Sequence, residues 1–199
     1  LLKVVIEKRI PVQAGLGGGS ADAAAIIRLG AGEVEDLAGL ALLLGADVPS
    51  QLNPKPLLVE GVGQKLTTLP QPAEHWVVLI PFETGLSTRA VFDEADRMKL
   101  GRSAEEIVDI SGRLWAVATN AVSPLAYPAL LVNDLEPAAL RLMPEIGLAK
   151  ERLSRAGAEF TGMTGTGPTV FGLFPDRDSA EAGAENAGPD AIVCQGGVT

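Results

Sequence analysis

One cysteine and one histidine are all that the 199 residues contain of the side chains best suited to redox chemistry or zinc. Cys194 alone permits neither an internal disulfide nor a thiolate cluster. His75 alone leaves a zinc site or a serine–histidine triad hard to assemble, so packing or plain surface is the expected role of both residues. A basic excess is missing as well. The formal charge is −9, the opposite of what a nucleic-acid-binding face requires. Net negative charge does not bar a nucleotide, because local donors and a metal ion outweigh a distant field that salt screens. No run approaches the roughly 20 apolar residues that cross a bilayer, and the first residues lack the basic, apolar, small-residue order of a signal peptide. Neither nucleic acid nor membrane is therefore an expected partner. The sequence opens on Leu1 rather than Met, which leads to the expectation that it begins inside a longer protein. What is present, 47% apolar and 21% charged residues, is ordinary for a folded chain with one large domain or two small ones. Its chemistry must run on carboxylates, hydroxyls, backbone amides and lysines.

Residues 1–10 (LLKVVIEKRI) are β-branched and partly alternating, which predicts a strand stopped by Pro11. A glycine-rich loop follows, then Ser20 ahead of an alanine-rich apolar stretch to about Leu29. That order predicts a helix capped by Ser20, with Asp22 in its first turn. Leu37, Leu40, Ala41 and Leu44 share a face of a second helix over 34–44, which Gly45 would close in a left-handed conformation. Residues 57–60 read as a short strand and Gly61-Val62-Gly63 as a turn. Pro70 and Pro72 mark the best domain boundary, giving domains 1–70 and 71–199. Beyond it, 76–80 reads as a buried strand and 88–98 and 104–117 as helices. A further helix over 135–156 is broken near Pro144, and 159–163 with 169–174 form a hairpin. The pattern ends with a helix over 180–186 and a strand over 191–194. Strands and helices mix without a strict βαβ period, so the fold class is α+β.

The most informative stretch is Pro11, Val12, Gln13, Ala14, Gly15, Leu16, Gly17, Gly18, Gly19, Ser20 and Ala21. Four glycines in five positions remove the side chains that would keep a phosphate from the backbone. The helix after them offers free amides and the positive end of its dipole. Ser20 adds a hydroxyl for a phosphate or for Mg²⁺. A Gly-Lys-Ser/Thr ending is absent, and the place of a third dinucleotide-fingerprint glycine is taken by Ser20, so neither familiar phosphate loop fits. The plain alternative is a flexible turn, which gains nothing from so many adjacent glycines. In Gly45-Ala46-Asp47-Val48-Pro49, the carboxylate of Asp47 is a general base, a metal ligand or a turn-former. In Gly162-Met163-Thr164-Gly165-Thr166-Gly167, a hairpin turn explains two glycines, and the third points to close approach by another backbone or a phosphate.

Together these segments resemble the GHMP kinases, the galacto-, homoserine, mevalonate and phosphomevalonate kinases. Within them, the combination of GLGGGS at 15–20, LGADVP at 44–49, GVG at 61–63 and NDLE at 133–136 is similar to one branch. Its members phosphorylate a cytidine diphosphate-linked methylerythritol for isoprenoid synthesis. The resemblance implies a two-domain fold, a ribosomal-protein-S5-like domain followed by a ferredoxin-like one. It implies ATP and Mg²⁺ as cofactors and a soluble monomer or homodimer in the bacterial cytoplasm or plastid stroma. Pro11 to Ala21 would wrap the ATP phosphates, Ser20 would lie near Mg²⁺ and Asp47 would be the catalytic base. Val62, Thr88 and Phe92 would help hold the cytidine end, although Phe92 also has the spacing of helix-face packing. The alternatives are another GHMP small-molecule kinase, of mevalonate or homoserine type, or a non-catalytic nucleotide-binding fragment. Three departures stand out. The family's first segment, which supplies a catalytic lysine, is missing, and Lys3 and Lys8 sit on the wrong strand for that role. The stretch 25–35 is a few residues short, and Ser50-Gln51 replace aromatics.

Overall fold

The computed structural model describes residues 3–8, 10–32 and 34–197. By its internal contacts the chain divides into two units. One holds residues 1–12 and 17–69, the other 13–16 and 70–199.

The first unit is built on α1 (Gly18–Leu29), α2 (Leu37–Leu44) and the single turn α3 (Val48–Gln51). Ala24, Ile27, Ala41 and Val48 form its small buried core. Alanines at the contact let α1, α2 and α3 approach closely, and the Arg28 guanidinium donates to the Gln51 carbonyl at 2.5 Å. Helix α2 is shorter than its apolar pattern predicts, because Asp36 caps it by accepting from the Gly39 amide at 2.8 Å. Gly45 closes it in extended backbone (φ 161°) rather than the left-handed form expected. The strand expected over 1–10 is not formed over residues 3–8, where Val4, Val5 and Ile6 are exposed. Residues 1, 2 and 9 of that stretch lie outside the described residues, as does Glu33 of the shortened 25–35 stretch. A strand is stable only against a neighbour, and no described strand pairs with 3–8. Hairpin strands β1 (Leu57–Glu60) and β2 (Lys65–Thr68) complete the unit.

The second unit carries a four-stranded antiparallel sheet. It comprises β3 (His75–Ile80), β4 (Phe160–Met163), β5 (Val170–Phe174) and β6 (Ile192–Gly196), in the order β4-β5-β3-β6. Between β3 and β4 run α4 (Thr88–Met98), α5 (Ala104–Ala118), α6 (Glu136–Leu142) and α7 (Glu145–Arg155); α8 (Arg177–Ala187) links β5 to β6. This is the split βαβ order of ferredoxin-like folds. Helices α7 and α8 pack on the sheet, and Val78, Ile80, Ile146, Leu153, Val170 and Phe174 are fully buried there. Each contributes about 2 kcal/mol by leaving water. Pro144 caps α7, which separates it from α6. Ser103 and Glu106 start α5 with a reciprocal capping box.

Candidate functional site

In the first unit the glycine loop ends at Gly17, which takes the N-cap position of α1 in a left-handed conformation (φ 66°). Ser20 is therefore the third residue of the helix rather than its cap, because the helix starts three residues earlier than the sequence pattern predicts. No side chain caps this helix, and its first turn holds no acidic residue. Asp22, expected in that turn, instead pairs with Lys8 at 2.5 Å. A Cβ added at Gly17 or Gly19 would meet nothing within 4 Å. A Cβ on Gly18 would lie 3.5 Å from the Ile10 side chain. The start of α1 is thus a set of uncapped amides with open space at Gly17 and Gly19, and that open part is a cradle that fits phosphate oxygens.

Asp47 occupies the N-cap position of α3 without using its side chain as a cap. It is exposed, and its carboxylate has no ion pair or hydrogen bond among the described residues; its backbone carbonyl accepts from the Ser50 hydroxyl at 2.7 Å. Because Val48 shares the core of Ala24 and Ile27, α1 and α3 are held as one body. The carbonyl of Ala46 lies against the Cα of buried Gly63, where no side chain could be accommodated. That contact links the 45–49 element to the 61–63 turn, a relationship invisible in the sequence. Val62 is exposed in this turn, and its amide donates to Gln64 Oε1 at 2.6 Å.

In the second unit, residues 13–16 lie on the Gly162–Gly167 turn. The Thr169 amide donates to the Ala14 carbonyl at 3.2 Å. A Cβ on Gly15 would fall 2.7 Å from the carbonyl oxygens of both Thr164 and Gly167. The close partner of this second glycine turn is therefore another stretch of backbone. Thr88, the first residue of α4, places its hydroxyl 3.1 Å from that of Thr166. Phe92 lies one helical turn further along and is half exposed (50%), so it does not serve as core packing. Asn133 donates through Nδ2 to the carbonyls of Met163 (2.9 Å) and Gly165 (2.8 Å). Glu136 accepts from the Met163 amide at 3.1 Å and pairs with Lys150. Beside them Asp134 binds Arg102 through two hydrogen bonds and thereby raises the Arg102 pKa. The sequence pattern marks the NDLE run without showing what it holds.

His75 and Cys194 stand apart from these features. His75 is buried on β3 with Nδ1 2.9 Å from the Ala73 carbonyl, and burial on β6 pushes the Cys194 thiol pKa up. Both are packing residues of the sheet.

Residues 1–52 match the GHMP kinases N terminal domain, and residues 121–190 the GHMP kinases C terminal domain. A crystal structure of 4-(cytidine 5'-diphospho)-2C-methyl-D-erythritol kinase superposes on 96% of this chain and 68% of its own, with TM-score 0.73 and 32% identity. The chain belongs to the GHMP kinases. Among curated relatives, the 4-diphosphocytidyl-2-C-methyl-D-erythritol kinase of Mesorhizobium japonicum is 38% identical over 92% of this chain and 61% of its own length. That of Sinorhizobium medicae is 40% identical over 90% of this chain and 58% of its own. The chain thus spans about three fifths of the length of the relatives it matches. The homoserine kinase from Cytophaga hutchinsonii shares the GHMP kinase fold, with TM-score 0.71 at 20% identity.

Proposed function

We propose that this GHMP kinase acts on 4-diphosphocytidyl-2-C-methyl-D-erythritol, transferring a phosphoryl group from ATP to its 2-hydroxyl. The relatives named above carry that activity in their names. The observation that carries the reading is the uncapped start of α1, held in one packed unit with the exposed carboxylate of Asp47, which has no partner among the described residues. Phosphoryl transfer needs positioning and charge stabilisation more than covalent chemistry.

In this reading the free first-turn amides of Gly18, Gly19 and Ser20 take phosphate oxygens of ATP, aided by the α1 dipole, while the Ala21 amide is held by the Gly17 carbonyl at 2.9 Å. Pro11 to Leu16 form the rest of the phosphate loop. Bound Mg²⁺ supplies neutralisation of the phosphate charge, and the Ser20 hydroxyl is the side chain assigned to it. Asp47 orients the substrate hydroxyl and accepts its proton as the oxygen attacks the γ-phosphorus. An exposed carboxylate with no hydrogen-bond or ion-pair partner among the described residues is free to do so. Phe92 offers an exposed ring for stacking on cytosine, and Val62 and Thr88 are assigned to the same end of the substrate.

ADP release by the full-length protein tests the reading. Turnover is expected with the diphosphocytidyl substrate, with inhibition by cytidine diphosphate, and not with homoserine or mevalonate. Turnover on homoserine or mevalonate instead would assign the protein to another GHMP kinase activity. Tight ATP binding without turnover on any of them would leave a nucleotide-binding module.

A further inference from the structure

Both donors of the Asn133 carboxamide and its oxygen are engaged. Its two N–H groups go to the carbonyls of Met163 and Gly165, and its Oδ1 accepts from the Leu135 amide at 3.0 Å. One side chain therefore bridges two carbonyls separated by a single residue, at the point where β4 gives way to the glycine turn. Three residues later, Glu136 accepts from the Met163 amide through one oxygen and pairs with Lys150 through the other. Both side chains of that ion pair are largely shielded from water, 18% and 24% exposed. Backbone bonds then close the turn itself: Thr164 amide to Thr169 carbonyl at 3.0 Å, and Gly167 amide to Thr164 carbonyl at 2.8 Å. The carbonyls of Thr164 and Gly167 are the two against which Gly15 lies, and Thr169 is the residue that holds Ala14.

We infer that Asn133 and Glu136 are positioning residues for the glycine loop: they fix the Met163–Gly167 turn, and that turn fixes residues 13–16. Neither touches a nucleotide in this account. They act through the turn, by setting two carbonyls and one amide whose alternatives in a short glycine-rich segment are many. A glycine loop left to itself would spend most of its time in shapes that do not present its amides together, and each such shape lowers apparent affinity. The consequence for catalysis rests on the reading that the loop binds ATP phosphates; the positioning itself does not.

The test uses the full-length protein and reads both levels. Hydrogen exchange without nucleotide follows the amide of Thr169, which reports the docking of Ala14 directly, together with those of Met163, Thr164 and Gly167. In Asn133→Asp a carboxylate faces two carbonyl oxygens, and exchange at these positions is expected to speed by about tenfold while β3 amides keep their rates. Asn133→Ser, which retains one donor, gives a smaller rise at the same positions and covers the case in which the aspartate variant does not fold. Asp134→Ala, which removes only the partner of Arg102, leaves them unchanged. Binding of a fluorescent ATP analogue to Asn133→Asp weakens by about tenfold, with kcat at saturating ATP changed less than KM. Unaltered Thr169 exchange in both Asn133 variants would overturn the inference, as would an equal rise throughout β3 or in Asp134→Ala. If the wild-type protein binds no ATP analogue, the functional reading falls, and the exchange rates still decide the positioning claim.

Discussion

Gly15 rests with its Cα against the carbonyl oxygen of Gly167, so close that a Cβ there would lie 2.7 Å from that oxygen. Its φ of +76° adds a conformation that L-residues adopt at a cost of about 1–2 kcal/mol. Gly15→Ala is therefore expected to undock residues 13–16 and to lower stability by about 2 kcal/mol or more. Urea unfolding measures the second effect and Thr169 amide exchange the first.

Gly19 is glycine for a different reason. It sits in the first turn of α1, where an added methyl meets nothing within 4 Å. Alanine is the better helix former, so Gly19→Ala should leave thermal stability unchanged or raise it by up to about 1 kcal/mol. A methyl above amides that receive phosphate would weaken ATP binding by at least about tenfold. Calorimetric titration alongside thermal unfolding separates the two effects. Loss of stability without loss of affinity would remove Gly19 from the cradle.

Glu94 on α4 is buried (3% exposed) between two guanidiniums, Arg97 at 2.6 Å and Arg141 of α6 at 3.1 Å. The arginines are mostly exposed, so the loss is asymmetric. Replacing both by Met strands a buried carboxylate and should cost about 3 kcal/mol. Glu94→Gln returns two arginines to water and should cost about 1 kcal/mol. Chemical denaturation of the two variants checks the order.

Much of the second unit was legible because its elements alternate clearly between apolar periodicity and breakers. Helix α4 runs over 88–98 as its pattern predicts, and Pro144 separates α6 from α7. Strand β2 escaped the pattern because Lys65–Thr68 is short, polar and mostly exposed; it forms because the 61–63 turn returns the chain to β1. The strand expected over 1–10 is not formed over its described residues 3–8 for the converse reason. Suitable residues do not make a strand without a partner. At the site, composition marked the glycines without distinguishing their purposes. Gly15 serves a backbone contact about 150 residues away in sequence, whereas Gly19 leaves space open. Asn133 was one letter of a motif until its two carbonyl partners, 30 and 32 residues on, came into view. Such relationships are long-range, and local propensity carries no trace of them.

The most direct test of the account is the turnover of Asp47→Asn in the full-length protein, measured as ADP release with the diphosphocytidyl substrate. The substitution keeps size and removes the proton acceptor. The expected result is a fall in kcat of about 10²-fold or more, with ATP affinity within about threefold of wild type. Turnover within about threefold of wild type would contradict it, because the hydroxyl proton would then be taken by another group.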